Sequence, residues 1–216
     1  MKAIYGKKVG MTRVFTEDGR SVPVTVLEVT PNVVQQVKTV ETDGYAAIQV
    51  GFGVQKSQRV NRPLSRHLAK AKKGTARHLR EIRLDQACHQ AAGESFAVGD
   101  ELSVAGMFEP GALVDVVGTS IGKGFGGVMK RHHMKGFTRT HGTHEYFRHG
   151  GSIGCRKYPG RVFKNKRMPG HMGNVRVIQQ GLEVVAVRAD DNVLLIKGSV
   201  PGAKNGTVFV RSAVKQ

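Results

Sequence analysis

The sequence predicts a mainly β protein, an antiparallel barrel or sandwich with few short helices. Two observations predict it: apolar residues alternate with a period of two near both ends of the chain, and the β-branched runs there are short and closely spaced. Strands of this kind favour an antiparallel fold over an α/β fold. With 216 residues, of which 39% are hydrophobic, the chain is long enough for one domain with a large insertion or for two small domains.

Turn signals divide the predicted strands. Asp-Gly pairs at residues 18–19 and 43–44 and an Asn-Gly pair at 205–206 are typical of hairpin turns. Gly181 and the polar run 190–192 separate the three runs near the C-terminus. We expect strands near the two termini to pair in one sheet. The predicted strands are residues 13–15, 21–29, 33–40, 45–50, 175–180, 183–188, 193–197 and 207–210.

One short helix is predicted to begin near Arg62, with Pro63 in its first turn. Leu64, Leu68 and Ala71 fall on one apolar stripe of that helix, and its other faces are basic. Elsewhere the sequence contains few helix signals.

The net charge of +18 is concentrated in two segments, which we name by their order in the chain. The first basic segment, residues 56–80, holds nine Lys and Arg and no acid. The second basic segment, residues 118–174, holds twelve Lys and Arg against the single acid Glu145, and the rest of the chain sums to −2. A soluble surface normally mixes both signs, so this separation predicts a polyanionic partner.

The second basic segment has a composition that cannot build a core. Thirteen of its residues are glycine and only four are Ile, Leu or Val. It is therefore predicted to be extended or looped, and to be ordered by its surroundings. Cations, glycines and aromatic rings in one segment suit RNA, because cations meet phosphates and rings stack on unpaired bases. The aromatic residues are Phe125, Phe137, Tyr146, Phe147, Tyr158 and Phe163.

Membrane, secreted and disulfide-stabilised proteins are not indicated. No stretch approaches the ~20 apolar residues of a membrane span, and the N-terminus lacks the apolar run of a secretory signal. The two cysteines are too few for a disulfide framework, and Cys88 is expected to be an inert buried thiol. We expect a cytosolic protein.

The sequence contains partial matches to enzyme and cofactor motifs, but each match lacks a part that the motif requires. Residues 122–127 match G-x-G-x-x-G, but no apolar-striped helix follows, and residues 118–124 are one residue short of a P-loop. The histidines within 141–149, with Cys155, lack the second ligand pair of a structural zinc site. Acids are almost absent from both basic segments, which argues against carboxylate or two-metal catalysis. We expect no enzyme activity, no cofactor and no metal.

One pattern of nine residues resembles a known family. Supporting matches lie at residues 6–12, 151–154, 159–164 and 168–174, and the likeness extends from Lys2 to beyond Gly202. The nine residues are Phe108, Asp115, Gly118, Ser120, Gly122, Lys123, Gly124, Gly127 and Arg131. With these residues and matches, the chain is similar to bacterial members of the family of large-subunit ribosomal protein three.

The resemblance implies a closed antiparallel β-barrel similar to the barrel domain of translation elongation factors, formed by residues 1–117 and 175–216. Within it, residues 56–80 would be an RNA-facing insertion. Residues 118–174 would be a long loop reaching through ribosomal RNA toward the peptidyl transferase centre. The family implies a structural role: binding 23S rRNA near its 3′ end, early subunit assembly, neighbouring large-subunit proteins, and a place in the cytoplasmic ribosome. No membrane and no small-molecule substrate is implied.

The predicted rRNA-binding residues are cations of both segments together with two histidines of the second, and the cations would neutralise phosphates that the folding RNA brings together. In the first basic segment these are Lys56, Arg59, Arg62, Arg66, Lys70, Lys72, Lys73 and Arg77. In the second they are Lys123, Lys130, Arg131, Lys135, Arg139, His141, Arg148, Arg156, Lys157, Arg161, Lys164, Lys166, Arg167 and His171.

Another function remains open from the sequence: a dissociable ribosome-assembly or translation factor that uses the same barrel to bind RNA. Such a factor predicts a nucleotide-binding loop or a separately folding partner domain, and neither is evident in the sequence.

The predicted loop tip departs from the family pattern. Many bacterial members carry a glutamine, methylated on its side-chain nitrogen, where this chain has Lys157. This modification is therefore expected to be absent. Cys155 and Arg156 also replace polar neutral residues common in the family. We predict that Arg156 and Lys157 bind phosphate where the usual side chains would make neutral contacts.

Overall fold

Strands dominate the computed structural model, which describes residues 2–71, 73–84 and 96–215 of the chain. The prediction of a mainly β protein with few short helices is confirmed. The strands are β1 (Ala3–Phe15), β2 (Ser21–Glu28), β3 (Asn32–Lys38), β4 (Ala47–Val54), β5 (Ala76–Arg83), β6 (Glu101–Leu102), β7 (Leu113–Thr119), β8 (Phe125–Gly126), β9 (Gly170–His171), β10 (Arg176–Arg188), β11 (Val193–Lys197) and β12 (Thr207–Ser212). The helices are α1 (Val40–Asp43), α2 (Arg62–Ala69) and α3 (Val128–His132), with 3₁₀ turns at Ser57–Arg59 and His144–Arg148.

Two compact units divide the chain. Residues 1–119 and 176–216 form the barrel unit, and residues 120–175 form the inserted unit. The predicted boundaries at residues 117/118 and 174/175 lie within two residues of this division. The assignment of a domain to each part stays a prediction.

Six strands of the barrel unit close into an antiparallel barrel in the order β1-β12-β7-β10-β11-β2. The predicted pairing of strands near the two termini is confirmed, because Ala3 of β1 lies opposite Arg211 of β12. Closure leaves none of these six strands as an unpaired edge. The interior is filled by side chains from all six strands and from the segment before β7: Ile4, Leu27, Val29, Val104, Phe108, Val114, Val116, Val184, Leu194, Ile196, Val200, Val208 and Val210.

A smaller sheet in the same unit has the order β5-β4-β3-β6. Its core consists of Val34, Ile48, Val50 and Ile82 together with Ala3 of β1. Tyr5 and Phe209 pack against this cluster from β1 and β12. Both faces of the β1/β12 pair are therefore occupied, one by the barrel core and one by the core of the smaller sheet.

The first predicted hairpin is confirmed. Phe15 of β1 lies opposite Ser21 of β2, and the Gly19 N–H donates to the Thr16 carbonyl at 2.9 Å. Gly19 has φ +75°, a conformation that glycine adopts without strain.

Two boundaries predicted from sequence are wrong. Val40 was assigned to a strand, but it begins α1, and Gly44 ends that helical turn with φ +79°. Gly181 was expected to separate two strands, but β10 continues through it for 13 residues with a change of register between Gln179 and Leu182. Gly181 therefore lies in a β-bulge within one strand and not in a turn between two strands.

The predicted helix is confirmed as α2. The Asn61 side chain accepts a hydrogen bond from the Leu64 N–H at 3.2 Å, which caps the helix N-terminus. Leu68 and Ala71 are buried and Leu64 is partly buried, as the apolar stripe predicted. Among the described residues, no helix combines the length and apolar character needed to span a membrane. The expectation for Cys88 falls outside the described residues.

Asp115 is a buried carboxylate that ties three parts of the barrel unit together. It is 1% exposed and accepts hydrogen bonds from the Gly181 N–H at 3.2 Å and from the Val214 N–H at 3.4 Å. The Arg211 guanidinium lies 3.4 Å from the same carboxylate. The carboxylate thus joins β7 to the bulge of β10 and to the C-terminal residues.

Replacing Asp115 by alanine is expected to lower the free energy of unfolding by about 3 kcal/mol, because buried donors and a cation lose their acceptor. Asp115→Asn keeps one oxygen acceptor and should cost less. The control is Asp190→Ala, at an exposed position, which should change stability by less than about 0.5 kcal/mol. Urea unfolding of the three variants measures this, and equal stability of Asp115→Ala and Asp190→Ala would contradict the structural role.

Candidate nucleic-acid interface

The first basic segment folds into a 3₁₀ turn, α2 and the start of β5. Arg62, Arg66 and Lys70 follow one another at intervals of four residues, so they form a row on the face of α2 opposite its apolar stripe. Lys72 lies outside the described residues. The predicted cations of this segment that the structure describes are all exposed: Lys56, Arg59, Arg62, Arg66, Lys70, Lys73 and Arg77.

One of these cations already has a carboxylate partner. Lys73 Nζ lies 2.8 Å from Glu101 Oε1, with both side chains about half exposed. An exposed pair of this kind contributes little stability, so a phosphate can compete for the lysine. Arg80 is an exposed cation on β5 that the predicted set omits, although the charge count of residues 56–80 included it.

Glu81 is the acid that follows the first basic segment, and it forms an ion pair with Lys38 of β3. Lys38 Nζ lies 2.7 Å from Glu81 Oε1, and the Tyr45 hydroxyl donates to Glu81 Oε2 at 2.9 Å. The hydrogen bond from Lys38 holds the pKa of Glu81 below its usual range, and the same bond raises the pKa of Lys38. Both groups remain ionised at neutral pH, so the carboxylate offers little repulsion to an approaching polyanion.

The inserted unit begins and ends in a short stem. The Ser120 N–H donates to the Val175 carbonyl at 2.9 Å, and the Lys123 N–H donates to the Met172 carbonyl at 2.8 Å. Strands β8 and β9 then pair, with Phe125 opposite His171. The stem therefore holds the two ends of the second basic segment side by side.

Beyond the stem, the inserted unit has almost no interior. Gly126 and Val128 are the only buried residues between 120 and 175, all of which the structure describes. The rings of Phe125 and Tyr158 are 79% and 89% exposed. Phe147 is partly covered, with the Arg139 guanidinium 5.5 Å from its ring centroid. The segment therefore offers rings and cations to solvent, as its composition predicted.

Arg131 differs from the other predicted cations of the second basic segment. Its Nη1 donates to the Met168 carbonyl at 2.8 Å, and the His132 ring lies 3.0 Å from the same oxygen. A methyl group at Gly170 would come within 2.7 Å of Arg131 Nη1, so a side chain there would have to displace the guanidinium. Arg131 thus holds α3 against the chain before β9, which charge counting could not reveal.

The remaining predicted rRNA-binding residues of this segment are all exposed: Lys123, Lys130, Lys135, Arg139, His141, Arg148, Arg156, Lys157, Arg161, Lys164, Lys166, Arg167 and His171. Cys155, beside two of them, is a free and exposed thiol. The role of each cation in RNA binding stays a prediction.

Within the described part of the chain, no three His, Cys, Asp or Glu side chains lie close enough together to hold a metal ion. The histidine-rich stretch 141–149 instead contains a ring contact between Tyr146 and His149, with centroids 4.9 Å apart.

Comparison with known proteins gives a consistent result over the chain. Residues 90–192 match the family model described as Ribosomal protein L3. The large ribosomal subunit protein uL3 of Vibrio cholerae is 55% identical over 215 residues, covering 100% of both chains. The proteins of that name from Trichlorobacter lovleyi and Geobacter sulfurreducens are 53% and 51% identical over 214 residues, covering 99% of this chain and 98% of each relative.

Gly173 is expected to be essential to the stem, because a side chain there would overlap the Ile121 carbonyl oxygen. Gly142 provides a matched control, because its φ of +75° is nearly the same as the φ of +76° at Gly173. A side chain at Gly142, however, would meet no atom within 4 Å. Both alanine variants carry the strain of a left-handed residue, about 1 kcal/mol, and only Gly173→Ala adds the overlap. Limited proteolysis should cleave residues 120–175 several times faster in Gly173→Ala. Equal cleavage rates would contradict the role of the stem.

Proposed function

The chain belongs to the ribosomal protein L3 family, and from this premise we propose that it binds 23S-type rRNA directly through the cations of its two basic segments. As a member of this family it is a structural constituent of the large ribosomal subunit and not an enzyme. Its place is the bacterial ribosome, and hence the cytoplasm.

The observation that carries the proposal is the exposure of the second basic segment. Twelve Lys and Arg accompany one acid, and apart from Arg131 these cations are exposed. Unpaired cations at this density repel one another, which opposes a compact arrangement. Phosphates remove the repulsion and release counterions, so RNA can both bind the segment and order it.

The finer parts of the proposal rest on the family resemblance: binding near the 3′ end of the rRNA, an early role in assembly, and contacts with neighbouring large-subunit proteins. The loop is proposed to extend toward the peptidyl transferase centre. Its geometry supports such a reach, because β8 and β9 hold the two ends together and the chain between Gly126 and Gly170 is free of any further strand.

At the proposed loop tip, Arg156 and Lys157 are exposed cations next to the exposed ring of Tyr158. We expect these two cations to contact phosphates and the ring to stack on an unpaired base. Because Lys157 stands where many bacterial members carry a neutral glutamine, the tip has one more positive charge at that position.

Replacing residues 122–172 with a short Gly-Ser linker is expected to leave the barrel unit folded, because the barrel core draws only on residues outside that range. The shortened chain should retain a single cooperative unfolding transition and fail to enter large subunits normally. Loss of the transition would show that the core was assigned to the wrong residues.

The complete chain, in the same experiment, should remain with large subunits during sedimentation after a high-salt wash. Release of the complete chain by the wash would favour a dissociable factor. Normal incorporation of the shortened chain would contradict the proposed function of the second basic segment.

A further inference from the structure

Four rings form a column within the barrel unit. Phe209, Tyr5, Phe52 and His78 follow one another with centroid separations of 4.6, 4.9 and 5.3 Å. Tyr5 and Phe52 are stacked, with 4° between their planes. Burial raises the pKa of Tyr5 to about 12, so its hydroxyl keeps its proton and donates to the Glu81 carbonyl at 3.2 Å. The inner part of the column is therefore uncharged and held in place.

The outer end of the column opens into a groove of about 620 Å³, a volume within the range of small-molecule sites. Phe52 is buried, whereas His78 is only partly buried. Phe52 and His78 lie directly opposite each other on β4 and β5, so the strand pairing fixes the position of the imidazole. The described residues that line the groove include Lys7, Gly53 and Arg77.

Gly53 keeps the space beside His78 open. It has φ +72°, and a side chain there would lie 3.4 Å from Arg77 Cβ and 3.9 Å from His78 Cδ2. The next residue, Val54, also lines the groove and is 90% exposed. Such an exposed apolar side chain next to a ring provides a surface for a flat aromatic ligand.

The charged residues that line the groove are the cations Lys7 and Arg77 and the acid Glu28, and the His78 ring lies at its wall. Burial, with the neighbouring charges of Arg77 and Arg80, lowers the pKa of His78, so the imidazole is neutral at neutral pH. Arg77 is exposed, and Lys7 is held only by an exposed pair with Glu28 at 3.4 Å. Both cations can therefore turn to an anionic ligand.

We propose that this groove binds one unpaired nucleotide of rRNA, with its base stacked on His78 and its phosphate at Arg77 and Lys7. The inference rests on the proposed function, because it requires a chain that binds rRNA. An acidic peptide would satisfy the two cations but would leave the end of the ring column without a stacking partner. A nucleotide uses both features at once.

The test uses the full chain with the photo-crosslinking residue p-benzoylphenylalanine in place of Val54, assembled into large subunits. Crosslinking to an unpaired rRNA nucleotide is the expected result. Crosslinking to protein alone, or to neither, would overturn the inference. The same residue in place of Ile153, which is 57% exposed in the second basic segment, serves as the reference. An rRNA crosslink from position 153 without one from position 54 refutes only the groove, whereas no rRNA crosslink from either position also contradicts the proposed function.

Substitution of His78 then tests the stacking. In the chain carrying the probe at position 54, His78→Ala should lower the yield of the rRNA crosslink by roughly fivefold or more, because a ring that stacks on a base contributes at least about this factor to binding. His78→Phe keeps an uncharged ring and should retain most of the yield. An unchanged yield in His78→Ala, or an equal loss in both variants, would refute stacking on this residue.

Discussion

The structure depends on strand pairing that fixes the two ends of a strongly basic segment. Thr119 at the end of β7 lies opposite Arg176 at the start of β10 in the barrel sheet. Immediately inside these positions, the Ser120 N–H donates to the Val175 carbonyl, and the Val175 N–H donates to the Ser120 Oγ. A segment in which only four residues are Ile, Leu or Val cannot position itself, because it buries too little surface to offset its ordering entropy. Its ends are instead fixed by pairing within the barrel unit and within the stem.

Much of the nine-residue family pattern consists of residues that build the barrel and the stem. Phe108 lies in the barrel core, Asp115 accepts buried hydrogen bonds, and a methyl group at Gly118 would lie 2.8 Å from the Pro201 carbonyl oxygen. Ser120 closes the stem, and Arg131 holds α3 through the Met168 carbonyl. The residues of the family pattern therefore describe the support of the second basic segment, while most of the exposed cations proposed to contact RNA lie outside the pattern.

Local features of the sequence predicted strands near both ends of the chain, the helix α2 and the first hairpin, because alternation and Asp-Gly pairs report on neighbouring residues. They failed at Val40 and Gly181, where a helical turn and a bulge replaced the expected strand and turn. Closure of the barrel was expected from the family resemblance, since its pairings join distant residues such as Ala3 and Arg211. The distribution of charge along the sequence indicated the two basic segments as the candidate nucleic-acid interface. The role of Arg131 and the ring column depend on tertiary contacts that no local pattern contains.

We expect the second basic segment to supply most of the electrostatic binding to rRNA while the barrel unit supports it. The most direct measurement is the salt dependence of the affinity for large-subunit rRNA, compared between the complete chain and the chain with residues 122–172 replaced by a linker. A steeper log-log slope is expected for the complete chain, by roughly 0.7 to 0.9 for each phosphate contact that the linker removes. Equal slopes for the two chains would contradict it.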